Sequence, residues 1–216
     1  ARRFEILGPV FGKKFRIYSF DLPFHGQHKD TGKAAVISPG QMRVFFSTFI
    51  EKERIDTFIV VGYSIGAKFA LNLIQLFPEK IDKVILIAPD GLKINFWYQL
   101  ATGSGLTRAI FRRIVERPGL FFRLADLSAS MGLVHPSVIR FASSQMVSRQ
   151  KREQVYNTWT SFRKLNLDLA SLGECIRRHR IPVDIVFGEK DRIIRYKDLK
   201  PLMKYLPDPD IIRLAS

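Results

Sequence analysis

Thr57-Phe58-Ile59-Val60-Val61-Gly62-Tyr63-Ser64-Ile65-Gly66 is the stretch of sequence that decides the fold. Its first half is short, apolar and β-branched, which predicts a buried strand. Apolar residues then recur at helical spacing as far as Leu76, before Pro78, and predict a helix. A serine on so tight a strand-to-helix turn is held in a strained backbone with its hydroxyl projecting. Small residues two positions before and after it let the strand and the helix pass closely, so Ser64 is a candidate nucleophile.

A simpler interpretation of the same residues is a glycine-rich turn whose serine only caps the following helix. The strand predicted before Ser64 and the helix predicted after it favour the nucleophile, because a nucleophile elbow requires both elements.

Strands and helices alternate along the rest of the chain. We predict further strands at Phe15–Asp21, Lys83–Ala88, Val183–Gly188 and Asp210–Leu214, and helices at Gln41–Arg54, begun near Ser38-Pro39, and Leu199–Leu206. This order indicates an α/β fold: a mostly parallel sheet with flanking helices and right-handed crossovers. Ligands bind such sheets at the carboxyl ends of the strands, where Ser64, Asp90 and the loop after Gly188 are expected to meet.

The block from Lys93 to Ile181 is too long for a single crossover. Pro118-Gly119 and His135-Pro136 are predicted breaks between its helices. We therefore predict two units: a core of residues 1–92 and 182–216, and an inserted helical cap of residues 93–181. The aromatic residues of the block mostly form the interior of the cap, and Trp97 and Trp159 are candidates for lining a substrate pocket.

The charge of the chain is concentrated in this block. The net charge of the 216 residues is +15, and the segment from Lys93 to Arg180 has 15 Lys and Arg against 5 Asp and Glu. Such a surface attracts an anionic substrate, an acidic partner or an anionic membrane face. The alternative is a solvated helical surface with no partner. Nucleic acid is not expected, because no nucleic-acid-binding motif accompanies the dispersed arginines.

Other features of the sequence narrow the class. A single cysteine, Cys175, excludes an internal disulfide framework and offers no metal motif. No apolar run approaches the ~20 residues that span a bilayer. There is neither a ligand cluster nor a phosphate-binding glycine loop, so we expect no cofactor and no metal. We predict a cytoplasmic location and leave the oligomeric state open.

Three segments in order resemble motifs of one superfamily. Phe20-Asp21-Leu22-Pro23-Phe24-His25-Gly26-Gln27 is similar to the segment after its fourth strand, although Phe24 stands where glycine is usual. Gly62-Tyr63-Ser64-Ile65-Gly66 matches its nucleophile elbow, and Phe187–Ile194 looks like the loop after its seventh strand. Over nearly its whole length the chain thus resembles the capped, single-domain members of the α/β-hydrolase superfamily.

The resemblance implies a role for each matching residue. Ser64 is the nucleophile, and Asp191 orients the imidazole that removes its proton. The backbone N–H of Ile65 donates to the oxyanion that develops in the transition state. Asp90 is the competing acid, since some hydrolases of this fold take the acid from the end of the preceding strand.

Two parts of the family pattern are not matched. The catalytic histidine should follow the last strand, and none of His25, His28, His135 and His179 stands there. The first strands and the loop that supplies the second oxyanion donor would precede Ala1. We therefore expect a hydrolase core truncated at both ends, and we expect these 216 residues alone not to hydrolyse esters at a useful rate.

The function that the resemblance implies is a serine hydrolase that cleaves an ester, thioester or related acyl compound through an acyl-enzyme. The aromatic block favours a small-molecule substrate with an apolar portion, and its arginines favour an anionic group. Two alternatives stay open: a non-catalytic ligand-binding protein on the same fold, and C–C bond hydrolysis or acyl transfer by the same triad.

Overall fold

The centre of the fold is a parallel sheet. A computed structural model describes residues 4–26, 35–90, 96–132, 136–189, 191, 196–206 and 210–214. Within these ranges the strands are β1 (Phe58–Tyr63), β2 (Ile81–Ile87), β3 (Val183–Gly188) and β4 (Asp210–Leu214), paired in the order β1-β2-β3-β4. All pairs are parallel, with Tyr63 opposite Ile87, Ile87 opposite Val186, and Val186 opposite Ile212. The predicted fold class is therefore confirmed.

Helices occupy most of the remaining described chain. In order they are α1 (Leu7–Phe11), α2 (Pro39–Lys52), α3 (Gly66–Leu76), α4 (Phe96–Thr102), α5 (Gly105–Glu116), α6 (Gly119–Ser130), α7 (Pro136–Met146), α8 (Arg149–Ser161), α9 (Leu169–His179) and α10 (Tyr196–Met203). Short 3₁₀ turns follow α3 and α8, at Pro78–Lys80 and Phe162–Lys164. The predicted breaks at Pro118-Gly119 and His135-Pro136 separate α5 from α6 and α6 from α7.

Helix α2 begins where its capping residues place it. The Ser38 side chain accepts a hydrogen bond from the Gln41 backbone N–H at 3.2 Å, and the Gln41 side chain accepts one from the Ser38 backbone N–H at 2.9 Å. Pro39 occupies the first helical position, where a missing N–H has no cost. The start predicted near Ser38-Pro39 is confirmed.

The predicted strand Phe15–Asp21 is wrong. These residues belong to no strand of the described structure and lie against α2 instead. The Tyr18 and Phe20 rings pack on the Phe49 ring, with centroids 4.9 and 5.0 Å away, and the Tyr18 hydroxyl donates to Glu53 at 2.6 Å. A run of apolar residues can pack on a helix as well as pair in a sheet, so the sequence did not distinguish the two partners.

The main core lies between the sheet and the helices on its faces. Every residue of α3 from Ala67 to Ile74 is buried, because β1, β2 and α9 surround it. Leu172 and Ile176 of α9 lie in the same buried cluster as Val84 and Ile185 of the sheet. The predicted division into a core and a cap of residues 93–181 stays a prediction. Helix α9 falls within the predicted cap range but packs against α3 and the sheet.

Candidate active site

Ser64 occupies a strained turn between β1 and α3. Its φ is +50°, in the left-handed region that non-glycine residues seldom adopt. Backbone bonds hold it there: its N–H donates to the Ile87 carbonyl at 2.9 Å, and its carbonyl accepts from the N–H groups of Ala67 at 2.9 Å and Asp90 at 3.1 Å. The residue is partly exposed. Its conformation is that of the turn required for a projecting serine hydroxyl.

The glycine before the serine allows the close passage of strand and helix. A Cβ atom at Gly62 would lie 2.8 Å from the Ala67 Cα and 2.9 Å from the Ala70 Cβ, distances that real Cβ atoms do not reach. A Cβ at Gly66 would meet nothing within 4 Å. The predicted need for a small residue is therefore confirmed at position 62 and wrong at position 66, where the helix has already turned away.

The N-terminus of α3 presents unused donors beside the serine. Ile65 is the N-cap residue and its side chain makes no capping bond. Within the described chain, the N–H groups of Ile65 and Gly66 donate to no backbone acceptor. Free N–H groups at a helix N-terminus attract negative charge. The Ile65 N–H, predicted as the oxyanion donor, thus lies next to Ser64 and is available.

Both candidate acids follow strands at the same edge of the sheet as Ser64. Asp90 lies after β2 and is exposed, and its backbone N–H binds the Ser64 carbonyl. Asp191 lies after β3, half-buried, in a turn in which its N–H donates to the Gly188 carbonyl at 3.0 Å. Since β1 and β3 are separated by β2, two strand spacings of about 4.8 Å lie between the strand that carries Ser64 and the one that carries Asp191.

Comparison with known proteins identifies the family. The family model of the α/β hydrolase fold matches residues 2–209. The chain belongs to this family. Similar structures share the fold at low sequence identity: an α/β hydrolase from a deep-sea metagenome library (14% identity, TM-score 0.65, covering 100% of this chain and 76% of that one) and a thermophilic esterase from Thermogutta terrifontis (15%, 0.64, 98% and 75%). An enol-lactonase from Burkholderia xenovorans is 17% identical, with a TM-score of 0.61 and coverage of 99% and 77%.

Mycobacterial proteins are among the relatives by sequence. Uncharacterized proteins of Mycobacterium tuberculosis and Mycobacterium bovis are 28% identical over 202 residues, covering 84% of this chain and 55% of theirs. The chain thus spans about half the length of the curated relatives it matches.

The described histidines of this α/β-hydrolase chain are not placed as its family pattern requires. His25 is half-buried in the loop after Phe15–Asp21, with its Nδ1 3.0 Å from the Pro23 carbonyl. His179 ends α9 before β3 begins, which puts it at the edge of the sheet opposite Ser64. His28 and His135 lie outside the described residues.

Phe24 keeps the backbone conformation typical of the glycine that it replaces in the family pattern. Phe24 has a φ of +67°, so it adopts the left-handed conformation that makes glycine usual at this position of the hydrolase fold. The Phe24 carbonyl accepts a hydrogen bond from the Gln154 side chain of α8 at 2.7 Å. Helix α8 therefore contacts the loop, although the chain separates them by more than a hundred residues.

Of the two tryptophans predicted to line a pocket, the structure describes the side chain of Trp159. Trp159 lies in a cluster of aromatic rings, with the centroids of Tyr98 and Phe111 at 5.4 and 5.5 Å. This contact agrees with the expectation that aromatic residues of the block mostly pack on one another. The side chain of Trp97 lies outside what the structure describes.

Lys68 is a residue of the site region that the sequence analysis missed. It lies one helical turn after Ser64 and is only 5% exposed. Its Nζ donates to the Tyr98 hydroxyl and to the Phe162 carbonyl, each at 3.3 Å. Burial lowers the pKa of Lys68 to about 8, although the nearby Asp90 carboxylate favours the charged form. The signal in the sequence was a single charge within an otherwise uncharged helix.

Two further observations concern membrane-spanning helices and metal-binding groups among the described residues. Their helices include none that is both long and apolar enough to cross a bilayer. Among the same residues, no group of three or more His, Cys, Asp and Glu side chains is arranged to hold a metal ion.

Proposed function

We propose that this chain belongs to a serine hydrolase, with Ser64 as its nucleophile. The observation that carries the proposal is the φ of +50° at Ser64, next to the free N–H of Ile65 at the start of α3. A protein does not keep such a strained serine without compensation, and strain of this kind clusters at functional sites.

The chemistry follows from the positions of the groups. The Ser64 hydroxyl attacks the acyl carbon as a histidine takes its proton, and the Ile65 N–H donates to the oxyanion that forms. The histidine then protonates the leaving group, leaving an acyl-enzyme that water hydrolyses. Asp191 is proposed to orient this histidine, since its strand is two positions from that of Ser64. Asp90 is the alternative acid, one strand from Ser64.

The proposed substrate is a small ester, thioester or related acyl compound with an apolar portion. The aromatic cluster around Trp159 supports the apolar portion, and the 15 Lys and Arg of the segment from Lys93 to Arg180 support an anionic group. A cytoplasmic location is proposed on the single cysteine. Fractionation of cells that produce the full-length protein tests the location.

The test of the nucleophile is covalent labelling of the full-length protein. We expect a fluorophosphonate probe to label it, Ser64→Ala to abolish the label, and Ser130→Ala, at an exposed serine of α6, to leave it unchanged. Hydrolysis of p-nitrophenyl esters should fall ~10⁴-fold in Asp191→Asn, because the imidazole loses its orienting partner. The same loss of ester hydrolysis in Asp90→Asn, with Asp191→Asn active, would identify Asp90, after β2, as the acid.

Other outcomes of the labelling experiment identify the alternatives. A folded full-length protein that takes up no label at Ser64 contradicts the hydrolase and favours a non-catalytic binding protein. Labelling without ester turnover favours C–C bond hydrolysis or acyl transfer by the same residues.

A further inference from the structure

Lys68 is a charged residue at a buried position of α3, which is unusual for lysine. Its neighbours along α3, Ala67 and Phe69, are 0% and 8% exposed, and Lys68 itself is 5% exposed. A buried charge is costly unless it is well partnered, and lysine is rarely buried for that reason. The buried ammonium therefore requires specific hydrogen-bond partners.

Those partners come from two separate parts of the helical block. The Tyr98 hydroxyl belongs to α4, and the Phe162 carbonyl belongs to the 3₁₀ turn that follows α8. The Lys68 Nζ also lies 4.7 Å from the centroid of the Tyr98 ring, within the range of a cation–π interaction. One side chain of the helix behind Ser64 thus contacts both α4 and the end of α8.

Each of these contacts is reinforced by a neighbour. The Tyr98 hydroxyl donates a hydrogen bond to the Trp159 carbonyl at 3.2 Å, so towards Lys68 it acts only as an acceptor. Next to Lys68, the Phe69 ring packs edge to face on the Phe162 ring, with centroids 4.9 Å apart. Polar and aromatic contacts therefore hold the same two elements against α3.

The electrostatic surroundings of the ammonium are mixed. Asp90, at the carboxyl end of β2, favours its charge, and burial opposes it. On the other side, burial raises the pKa of Tyr98 to about 12, and the charge of Arg163 opposes that rise. Tyr98 therefore stays neutral where Lys68 changes its charge.

We propose that Lys68 is a positioning residue for the hydrolytic reaction: its ammonium fixes α4 and the end of α8 over the helix that starts at the nucleophile elbow. This inference rests on the proposed function. Because Lys68 acts through these helices, its loss should weaken the binding of substrates that contact them and leave the reactivity of Ser64 nearly unchanged. Loss of its charge at high pH should have the opposite effect, because the neutral amine still donates to both acceptors and no longer carries the cost of a buried charge.

The test compares Lys68→Met with Lys68→Arg in the full-length protein. Methionine has a similar length and no donor, and arginine keeps the charge and the donors. For p-nitrophenyl octanoate we expect Lys68→Met to raise KM about tenfold, as the loss of a hydrogen bond from a charged group does. Labelling by a small fluorophosphonate should change less than about threefold, and Lys68→Arg should recover much of the KM. Lys164→Met, at an exposed lysine beside Phe162, is the matched control.

A pH series separates positioning from a merely structural role. In the unmodified protein KM should fall between pH 7 and 9.5, because burial favours the neutral amine in the packed arrangement, and in Lys68→Met KM should stay flat. Equal pH profiles in the two proteins, or a KM unchanged by the substitution, would overturn the proposal. If Lys68→Met does not fold, Tyr98→Phe tests the same contact, because it removes the hydroxyl and keeps the ring.

Fluorescence separates this proposal from the proposed function. Trp159 contacts Tyr98, so its emission should change as Lys68 loses its proton, with Trp159→Phe as the control for the origin of the signal. If the full-length protein is never labelled at Ser64, the proposed hydrolase function is refuted. A pH-dependent change in Trp159 emission that Lys68→Met abolishes would still show the link between Lys68 and the helices. A titration that survives in Lys68→Met contradicts the link itself.

Discussion

Gly62→Ala should destabilise the protein, because β1 and α3 approach most closely at that residue. The added methyl would lie 2.8 Å from the Ala67 Cα and 3.0 Å from the Ala67 backbone nitrogen. An ordinary carbon contact needs about 3.5 Å or more, so strand and helix must separate by roughly 0.7 Å. Neither neighbour yields easily, since Ala67 and Ala70 are 0% and 2% exposed.

The magnitude follows from two opposing terms. Overpacking a rigid interior costs about 1–3 kcal/mol, and the constrained walls at this position put the cost near the upper end. Replacing glycine by alanine within a strand recovers about 0.5–1 kcal/mol of conformational entropy. We therefore expect Gly62→Ala to lower the free energy of unfolding by about 2 kcal/mol. Labelling of Ser64 should slow as well, because the start of α3 carries the Ile65 N–H.

Gly66→Ala is the matched control, since it adds the same methyl two residues after the serine in open space. It should raise the free energy of unfolding by about 0.5 kcal/mol, the gain of alanine over glycine in a helix. With a urea m-value of about 2 kcal/mol/M, the midpoints should shift by about −1 M and +0.25 M. Equal midpoints for Gly62→Ala and the unmodified protein, or an equal loss in both variants, would refute the argument from close packing.

Further predictions concern strain, charge and capping. Ser64→Gly should raise the free energy of unfolding by about 1 kcal/mol in urea titrations by relieving the positive φ, and Ser64→Ala should not. Because burial lowers the pKa of Lys68 to about 8, the unfolded chain binds more protons above that pH, so stability should rise from pH 7 to 9.5 by about 2 kcal/mol relative to Lys68→Met. Parallel pH dependences of those two proteins would contradict this, and Lys164→Met should follow the unmodified protein. Ser38→Ala should cost about 1 kcal/mol through the lost N-cap of α2, and a loss below about 0.3 kcal/mol would show that the cap contributes little.

The elbow, with the strand before it and the helix after it, was predictable because the necessary information is local. The apolar run before Gly62 and the helical spacing after Ser64 each indicate an element, and the glycine marks where they approach. The same holds for Ser38, whose neighbour Gln41 completes the capping box that starts α2. Where a few adjacent residues determine the geometry, sequence and structure agree.

The segment Phe15–Asp21 shows where such reasoning stops. Its apolar residues predicted a strand, and the prediction was wrong because pairing in a sheet depends on residues far along the chain. Phe20 packs on Phe45, Phe46 and Phe49 of α2 rather than beside a strand. Aromatic side chains pack on a helix as well as beside a strand, so the apolar pattern alone does not choose between the two partners.

Lys68 was beyond the reach of a local pattern for a related reason. Within Gly66–Leu76 it is the one charged residue, and at the sequence level that suggests an exposed position on the helix. Its acceptors are 30 and 94 residues further along the chain, on elements that come together only in the folded state. A single charge in a helix of otherwise uncharged residues is therefore a useful signal in itself: either that face meets water, or other elements supply acceptors. Here the helix begins at the nucleophile elbow and is covered on that face, so the second explanation applies.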